Sequence, residues 1–210
     1  MTNTDHPIFL ESIRLINRVL GPTGLDPLQQ QVLERLIHSS GDLELKKSLR
    51  FSFHACELAI VALKAGAPIL TDTEMAAAAI RPMAQRTLKS SVHSVLQWAP
   101  ENSSGELTRT AAGMKIAWQK FSELCKREQS PLVIIGSAPT ALNALLDLVD
   151  CSSNKPSLVV GMPVGFVGVS ESKNRLAKSG LAQIRLDGSK GGAALAASSI
   201  NALLRATNFV

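Results

Sequence analysis

Short apolar runs recur along the chain and alternate with longer stretches in which apolar residues return every three or four positions. The short runs, such as PILT at 68–71 and LVIIG at 132–136, indicate strands that are buried on both faces. Strands that alternate with helices predict an α/β fold, a three-layer α/β/α sandwich around a mainly parallel sheet. Strands are predicted over 68–71, 91–96, 132–136, 158–160 and 182–186.

Proline and glycine mark where the predicted helices begin and end. The first helix is predicted to start near Asp5 and to stop before Gly21. Asp26 and Pro27 are a favourable N-cap and first residue for the second helix. Further helices are predicted over 53–65, 74–80, 107–127, 139–149, 171–177 and 192–206, and a loop over 100–105.

The composition is that of a compact globular protein. With 210 residues, 45% of them hydrophobic, the chain suits one domain over residues 1–210. Its three cysteines, Cys56, Cys125 and Cys151, are far apart and form no CxxC pair, which favours a reducing cytoplasm over a disulfide framework. No signal peptide is apparent, and no apolar segment approaches the roughly 20 residues of a membrane span. We therefore expect a cytoplasmic protein that does not enter a membrane.

The chain is basic, with a net charge of +5 and a pI near 9.3. Nucleic-acid binders usually gather such charge along one helix or strand, with aromatic residues between the basic ones. Here the basic residues are scattered, and the tightest cluster is Lys126 and Arg127 beside Glu128. This pattern argues against a nucleic-acid partner and favours a solvated surface, with a polyanionic small molecule as the functional alternative.

A glycine-rich segment, VVGMPVGFVGVSESK, follows the strand predicted near residue 159. Glycines at 161, 165 and 168, with Asp187 closing the next strand, resemble a dinucleotide-binding unit. However, the spacing is GxxxGxxG, and Pro163 removes an N–H group that would bind pyrophosphate. The chain also lacks tyrosine, which excludes a Tyr–Lys proton-transfer pair. An NAD(P)-dependent oxidoreductase is therefore the less favoured alternative.

His38 is the best candidate for acid catalysis. It lies where the second predicted helix ends, and the negative end of a helix dipole favours the imidazolium form. The ordinary pKa of histidine is about 6.5, so a modest rise in the pKa would make His38 a proton donor at neutral pH. The alternative is a histidine that only interacts with the last carbonyl groups of its helix. No other histidine stands at metal-ligand spacing from it, so we expect no metal site.

Three further segments have features of anion sites. Residues 137–140 join an apolar strand to the start of a helix, where free N–H groups attract carboxylates, and residues 188–192 stand before the last helix. Arg109 lies near the start of the long helix, where a cation opposes the helix dipole unless an anion compensates for it. Each segment is equally compatible with an ordinary helix start or a solvated arginine.

Seven segments, in this order, resemble the precorrin-8X methylmutase family, which includes the cobalt-precorrin-8 methylmutases. They cover nearly the whole chain: HPIFLESIRLI, RLIHSSGD, KAGAPILTDTEM, LTRTAAGM, IIGSAPTAL, VVGMPVGFVGVSESK and KGGAALAASSINALL. The resemblance implies an isomerase of cobalamin biosynthesis that moves a methyl group from C-11 to C-12 of precorrin-8X or cobalt-precorrin-8. The product is hydrogenobyrinic acid or cobyrinic acid.

The resemblance also implies how the site is built. His38 becomes the proton donor, and Ser12 and Arg109 match residues that contact the substrate in relatives. The same resemblance implies that Thr71, Asp72, Ser172 and Lys173 line or support the pocket. The expected partner is a corrinoid polycarboxylate, bound by a homodimer whose active site lies near the subunit interface.

A methyl shift of this kind requires no redox cofactor and no covalent intermediate, so we expect no cofactor. The protein must hold one tautomer and supply a proton, which are tasks of positioning and acid catalysis. A second class of function on the same scaffold is a non-catalytic tetrapyrrole carrier. Turnover with catalytic amounts of protein distinguishes the two.

Overall fold

The computed structural model describes residues 6–101 and 107–208. Its strands are β1 Leu49–Phe51, β2 Ile69–Thr71, β3 Val92–Ser94, β4 Leu132–Ile135, β5 Leu158–Gly161 and β6 Gln183–Leu186. Its α-helices are α1 Pro7–Leu20, α2 Pro27–Ser40, α3 Leu45–Ser48, α4 Ala55–Lys64, α5 Glu74–Arg86, α6 Arg109–Leu124, α7 Pro139–Asp150, α8 Val169–Lys178 and α9 Ala193–Ala206. Residues Asp5 and 102–105, on which the predicted helix start and loop partly fall, lie outside the described residues.

The strands form one sheet in the order β1-β6-β5-β4-β2-β3. All neighbouring pairs are parallel except β1 with β6, which are antiparallel. The predicted α/β class and mainly parallel sheet are therefore confirmed. After β2 the chain first adds β3 on one side and then β4 on the other, so the strand order reverses between β2 and β4.

Helices cover both faces of the sheet because consecutive strand residues point to opposite sides. Leu132 and Ile134 of β4 belong to the core beneath α2, α4, α5 and α9, and α1 packs on α2 outside this layer. Val133 and Ile135 belong to the second core, beneath α6, α7 and α8. This is the predicted three-layer sandwich. No described helix is long and apolar enough to cross a membrane.

The differences from the predicted elements have local causes. Two elements, α3 and β1, are absent from the prediction because each is only three or four residues long and lacks an apolar run. The helix predicted over 74–80 continues, as α5, through Pro82 to Arg86. Pro82 and Ala78 are both exposed, so water can bond the Ala78 carbonyl that the proline leaves without a donor. The strand predicted over 91–96 is β3 followed by a 3₁₀ turn at Val95–Trp98.

Two glycines allow the loops at the carboxyl ends of the strands to pack against α9. A Cβ atom added to Gly136 would lie 2.6 Å from the Cα of Ala193 and 2.8 Å from its nitrogen. A Cβ atom added to Gly191 would lie 2.1 Å from the carbonyl oxygen of Met162. The end of β4, the end of β5 and the start of α9 therefore meet in direct backbone contact.

We expect Gly136→Ala to lower the free energy of unfolding by about 3 kcal/mol, because the new methyl group meets backbone that is unable to rotate away. Gly180→Ala is the matched control: Gly180 has a φ of 72° and nothing within 4 Å, so only backbone strain of about 1 kcal/mol is added. Urea unfolding measures both variants. A loss for Gly136→Ala no larger than that for Gly180→Ala would contradict the proposed contact.

Candidate functional site

Ser12 of α1 and His38 of α2 face each other. The Ser12 Oγ atom and the His38 Nδ1 atom are joined by a hydrogen bond of 2.8 Å. When Nδ1 carries no proton, the serine hydroxyl donates; when the ring is an imidazolium, Nδ1–H donates to the hydroxyl oxygen. In both states the bond fixes the orientation of the ring and leaves Nε2 for another partner.

The ends of α2 place His38 in the last turn of the helix. The Asp26 carboxylate begins the helix by accepting from the N–H groups of Leu28 and Gln29, each at 2.9 Å. Gly41 ends it with a φ of 70°, and its N–H donates to the Ile37 carbonyl at 2.7 Å. His38 therefore lies on an ordered, exposed helix end.

The surroundings of His38 oppose the imidazolium form. The Phe9 ring meets the histidine ring edge-on, with centroids 5.0 Å apart. Partial burial lowers the pKa of His38, and the positive charge of Arg35, one turn earlier on α2, lowers it further. Burial and Arg35 thus oppose the preference for imidazolium that the sequence analysis expected from the helix terminus.

Thr71 and Asp72 are fully buried at the carboxyl end of β2, where the strand order reverses. The Asp72 Oδ2 atom accepts from the backbone N–H groups of Gly136 at 3.1 Å, Ser137 at 2.6 Å and Ala138 at 2.8 Å. Burial raises the pKa of the Asp72 carboxyl, and these three donors oppose that rise. In the segment 137–140, predicted to attract a ligand carboxylate, the N–H groups of Ser137 and Ala138 therefore bind a carboxylate of the protein itself.

Ser172 and Lys173 are also buried, on the inner face of α8. The Ser172 hydroxyl donates to the Val169 carbonyl at 2.9 Å. The Lys173 ammonium donates to the carbonyls of Gly188 and Lys190, both at 2.7 Å, and burial lowers its pKa to about 8. Two carbonyls of the loop at 188–190 thus bind the buried ammonium group of Lys173.

An ion pair connects this loop to the region of His38. The Lys190 Nζ atom lies 2.6 Å from the Asp42 Oδ2 atom, just beyond the end of α2. The hydroxyls of Ser39 and Ser198 bond at 2.8 Å and join α2 to α9. Lys173 therefore supports, through the loop, the helix end that carries His38.

Arg109 lies apart from the Ser12–His38 pair. It is the first residue of α6 and is exposed. The preceding Thr108 caps the helix and bonds the Thr140 hydroxyl of α7 at 2.7 Å. Because α6 and α7 cover the face of the sheet opposite to α2, Arg109 and His38 belong to different layers.

The glycine-rich segment does not provide a nucleotide site. Gly161 is the last residue of β5, where a Cβ atom would meet the side chain of Leu176. Gly165 and Gly168 have φ values of 136° and 69° and form the turn into α8. The Asp187 carboxylate, at the position of a ribose-binding acid, pairs with Arg50 at 3.0 Å and Arg185 at 3.1 Å.

A basic cavity of about 480 Å³ lies beside the Ser12–His38 pair. Its arginines come from α2, α5 and α9 and were not among the predicted site residues. The sequence could have indicated Arg35, because it lies one helical turn from His38. No sequence pattern predicts that α5 and α9 pack beside that turn. In residues 6–101 and 107–208, no group of three or more His, Cys, Asp or Glu side chains is placed to hold a metal ion.

Comparisons with known proteins agree with this architecture. The precorrin-8X methylmutase family model matches residues 7–206. A cobalt-precorrin-8 methylmutase of Synechocystis is 34% identical, covering 97% of each chain, and a precorrin-8X methylmutase of Pseudomonas aeruginosa is 34% identical, covering 93% of each. The crystal structure of a precorrin-8x methyl mutase from Thermus thermophilus superposes with a TM-score of 0.85 at 37% identity, covering 95% of both chains.

The buried ammonium of Lys173 predicts a pH-dependent stability. Its pKa of about 8 in the folded chain lies below the value of about 10.4 for an unfolded lysine. Between these values the unfolded state binds more protons, so the contribution of Lys173 to stability rises with pH. We expect the free energy of unfolding of the wild type to rise, relative to Lys173→Met, by roughly 3 kcal/mol across this window.

Urea unfolding at intervals from pH 7 to pH 10 measures this difference. Lys178→Met is the control, because Lys178 is exposed on the same helix. Its difference from the wild type should be independent of pH. A similarly constant difference for Lys173→Met would show that the ammonium is not desolvated.

Proposed function

The chain belongs to the precorrin-8X methylmutase family and is an isomerase of cobalamin biosynthesis, and we propose that His38 is its proton donor. The reaction that we propose moves a methyl group from C-11 to C-12 of precorrin-8X or cobalt-precorrin-8. The observation that carries the proposal is the hydrogen bond between Ser12 and His38 on an exposed helix end. An accessible, oriented imidazole is what acid catalysis on a large flat substrate requires.

In this proposal Ser12 positions the ring and Nε2 delivers the proton, and the corrin gives up one proton in exchange because substrate and product are isomers. The hydroxyl bonds Nδ1, so the opposite nitrogen is directed away from α1. The edge of Phe9 limits the remaining rotation of the ring. Holding the acid in one orientation lowers the entropic cost of the proton transfer. The methyl group migrates within the substrate and requires no protein nucleophile.

In this proposal, substrate binding helps His38 to take up its proton. Its pKa is lowered by burial and by Arg35. The corrin precursor carries several acetate and propionate carboxylates, and a carboxylate near these groups raises the pKa of the imidazole. We infer that His38 gains its proton as the polycarboxylate binds.

We propose that Arg109 contacts the substrate, and that the buried residues support the pocket without touching the ring system. Asp72 holds the start of α7 through three N–H groups, with Thr71 beside it in β2. Lys173, next to Ser172, holds the loop whose Lys190 pairs with Asp42. These contacts lie within the chain, so they favour buried residues that maintain the shape of the pocket over residues that bind the substrate.

We also propose that residues 1–210 act as one methylmutase domain in a cytoplasmic homodimer with its active site near the interface. Arg109 and His38 lie on opposite faces of the sheet within one chain. A second copy that brings its own Arg109 toward His38 would unite them around one substrate. The free thiols of Cys56, Cys125 and Cys151 favour a reducing compartment.

We expect His38→Ala to lower kcat by at least about 100-fold, because a general acid typically contributes that much or more. Ser12→Ala should lose about tenfold, since the acid remains but is less well oriented. Conversion of precorrin-8X is followed by visible absorption, and affinity by titration with hydrogenobyrinic acid. His54→Asn, which changes an exposed histidine in another region, is the control.

Each outcome of this experiment discriminates between functions. Normal turnover by His38→Ala would reject His38 as the donor. Loss of turnover together with loss of product binding, in a folded variant, would make it a binding residue. A stoichiometric spectral change without turnover by the wild type would indicate a carrier.

Intersubunit complementation tests the shared site. Differently tagged His38→Ala and Arg109→Ala chains are co-expressed, and the heterodimer is purified through both tags. If each site takes His38 from one chain and Arg109 from the other, one of the two sites is intact, and about half of the wild-type activity returns. An inactive heterodimer would place both residues in the same chain. A solution mass of 22.4 kDa, that of a single chain, would reject the dimer.

A further inference from the structure

The basic cavity beside His38 is lined by side chains from four helices. It has a volume of about 480 Å³ and lies among α1, α2, α5 and α9. Its described lining includes three arginines and no aspartate or glutamate. The residues that matter here are Phe9, Arg35, Arg86, Thr87, Arg205 and Asn208.

The Phe9 ring connects this cavity to the catalytic histidine. The guanidinium carbons of Arg35 and Arg205 lie 5.2 Å and 4.9 Å from its centroid. The ring edge also meets His38, with a centroid distance of 5.0 Å. Two cations and the proposed acid therefore surround the same aromatic side chain.

The positive charges of Arg35 and Arg86 oppose each other. Burial lowers the pKa of Arg35, and the charge of Arg86 lowers it further. Burial also lowers the pKa of Arg205. Bringing Arg35 and Arg86 together at a partly buried site costs free energy, and an anion bound between them recovers it.

Packing on the aromatic ring accounts for part of this arrangement. Stacking of a guanidinium on an aromatic face is favourable by itself, so Arg35 and Arg205 gain from covering Phe9. Arg86 has no described contact with that ring, yet it lines the same cavity and is exposed. Ring packing therefore does not explain Arg86, and three guanidinium groups that line one cavity supply the N–H donors that a carboxylate requires.

We propose that Arg35, Arg86 and Arg205 form a carboxylate-binding subsite for one peripheral acetate or propionate of the corrin substrate. This inference rests on the proposed function, since it names how the same site recognises its polycarboxylate. Guanidinium groups bind carboxylates through paired N–H donors in a fixed fork, which gives direction as well as affinity. Docking one side chain here orients the macrocycle relative to His38.

The test compares two ligands that share one ring system and differ in charge. Hydrogenobyrinic acid and its fully esterified form are titrated, by visible absorption, against the wild type and the variants Arg35→Gln, Arg86→Gln and Arg205→Gln. We expect each variant to raise the Kd of the acid about tenfold and that of the ester less than twofold. Arg18→Gln removes the same charge from an exposed position of α1 outside the cavity and should change neither Kd.

The two Kd values distinguish a carboxylate subsite from arginines that only pack against Phe9. Equal weakening for acid and ester would assign the arginines to packing and overturn the proposal, as would an unchanged Kd for the acid. Arg35→Lys provides a second variant that keeps the charge and loses the fork, with an expected weakening for the acid smaller than that of Arg35→Gln. Circular dichroism checks that each variant is folded.

Failure of the proposed function gives a different result. If the wild type binds neither the acid nor the ester, the corrin assignment fails before the arginines are tested. If the wild type binds the acid and converts precorrin-8X, but the arginine variants match it in Kd, only the subsite is wrong.

Discussion

The carboxylate of Asp72 is the contact on which the carboxyl edge of the sheet depends. It joins the end of β2 to the first residues after β4, at the place where the strand order reverses. Its three N–H donors lie in the turn between β4 and α7, and each would cost free energy if buried without an acceptor. One buried charge thus fixes β2, β4 and α7 relative to one another.

Lys173 has the complementary role on the neighbouring strands. Its ammonium binds two carbonyls of the loop after β6, and Lys190 in that loop pairs with Asp42 beyond α2. The buried charged groups of this edge are therefore engaged by backbone within the chain. His38 and the arginines near it lie outside this frame, on helix surfaces that a large ligand can reach.

Much of the fold could be predicted from the sequence because the buried strands are uninterrupted apolar runs. The short elements α3 and β1 were missed, since their stability comes from packing and from pairing with β6 rather than from their own pattern. The sequence singles out both His38, through its helix end, and Ser12, through the family resemblance, and the structure joins them by a hydrogen bond. Their roles in the reaction stay predictions. No local sequence pattern specifies how the chain crosses from one element to another. These crossings determine the internal partners of Asp72 and Lys173. They also determine the separation of Arg109 from His38 and the convergence of Arg35 with Arg205.

The three hydrogen bonds that Asp72 accepts have a consequence for the kind of ligand that the sheet edge can bind. Open α/β sheets commonly bind phosphorylated ligands at the point where strand order reverses, using free N–H groups at a helix start. In this chain those N–H groups already bind a fully buried carboxylate. A phosphate would have to displace an anion that is covalently part of the chain. The turn between β4 and α7 is in this way closed to a phosphate, while the exposed helix end that carries His38 lies on a different part of the surface.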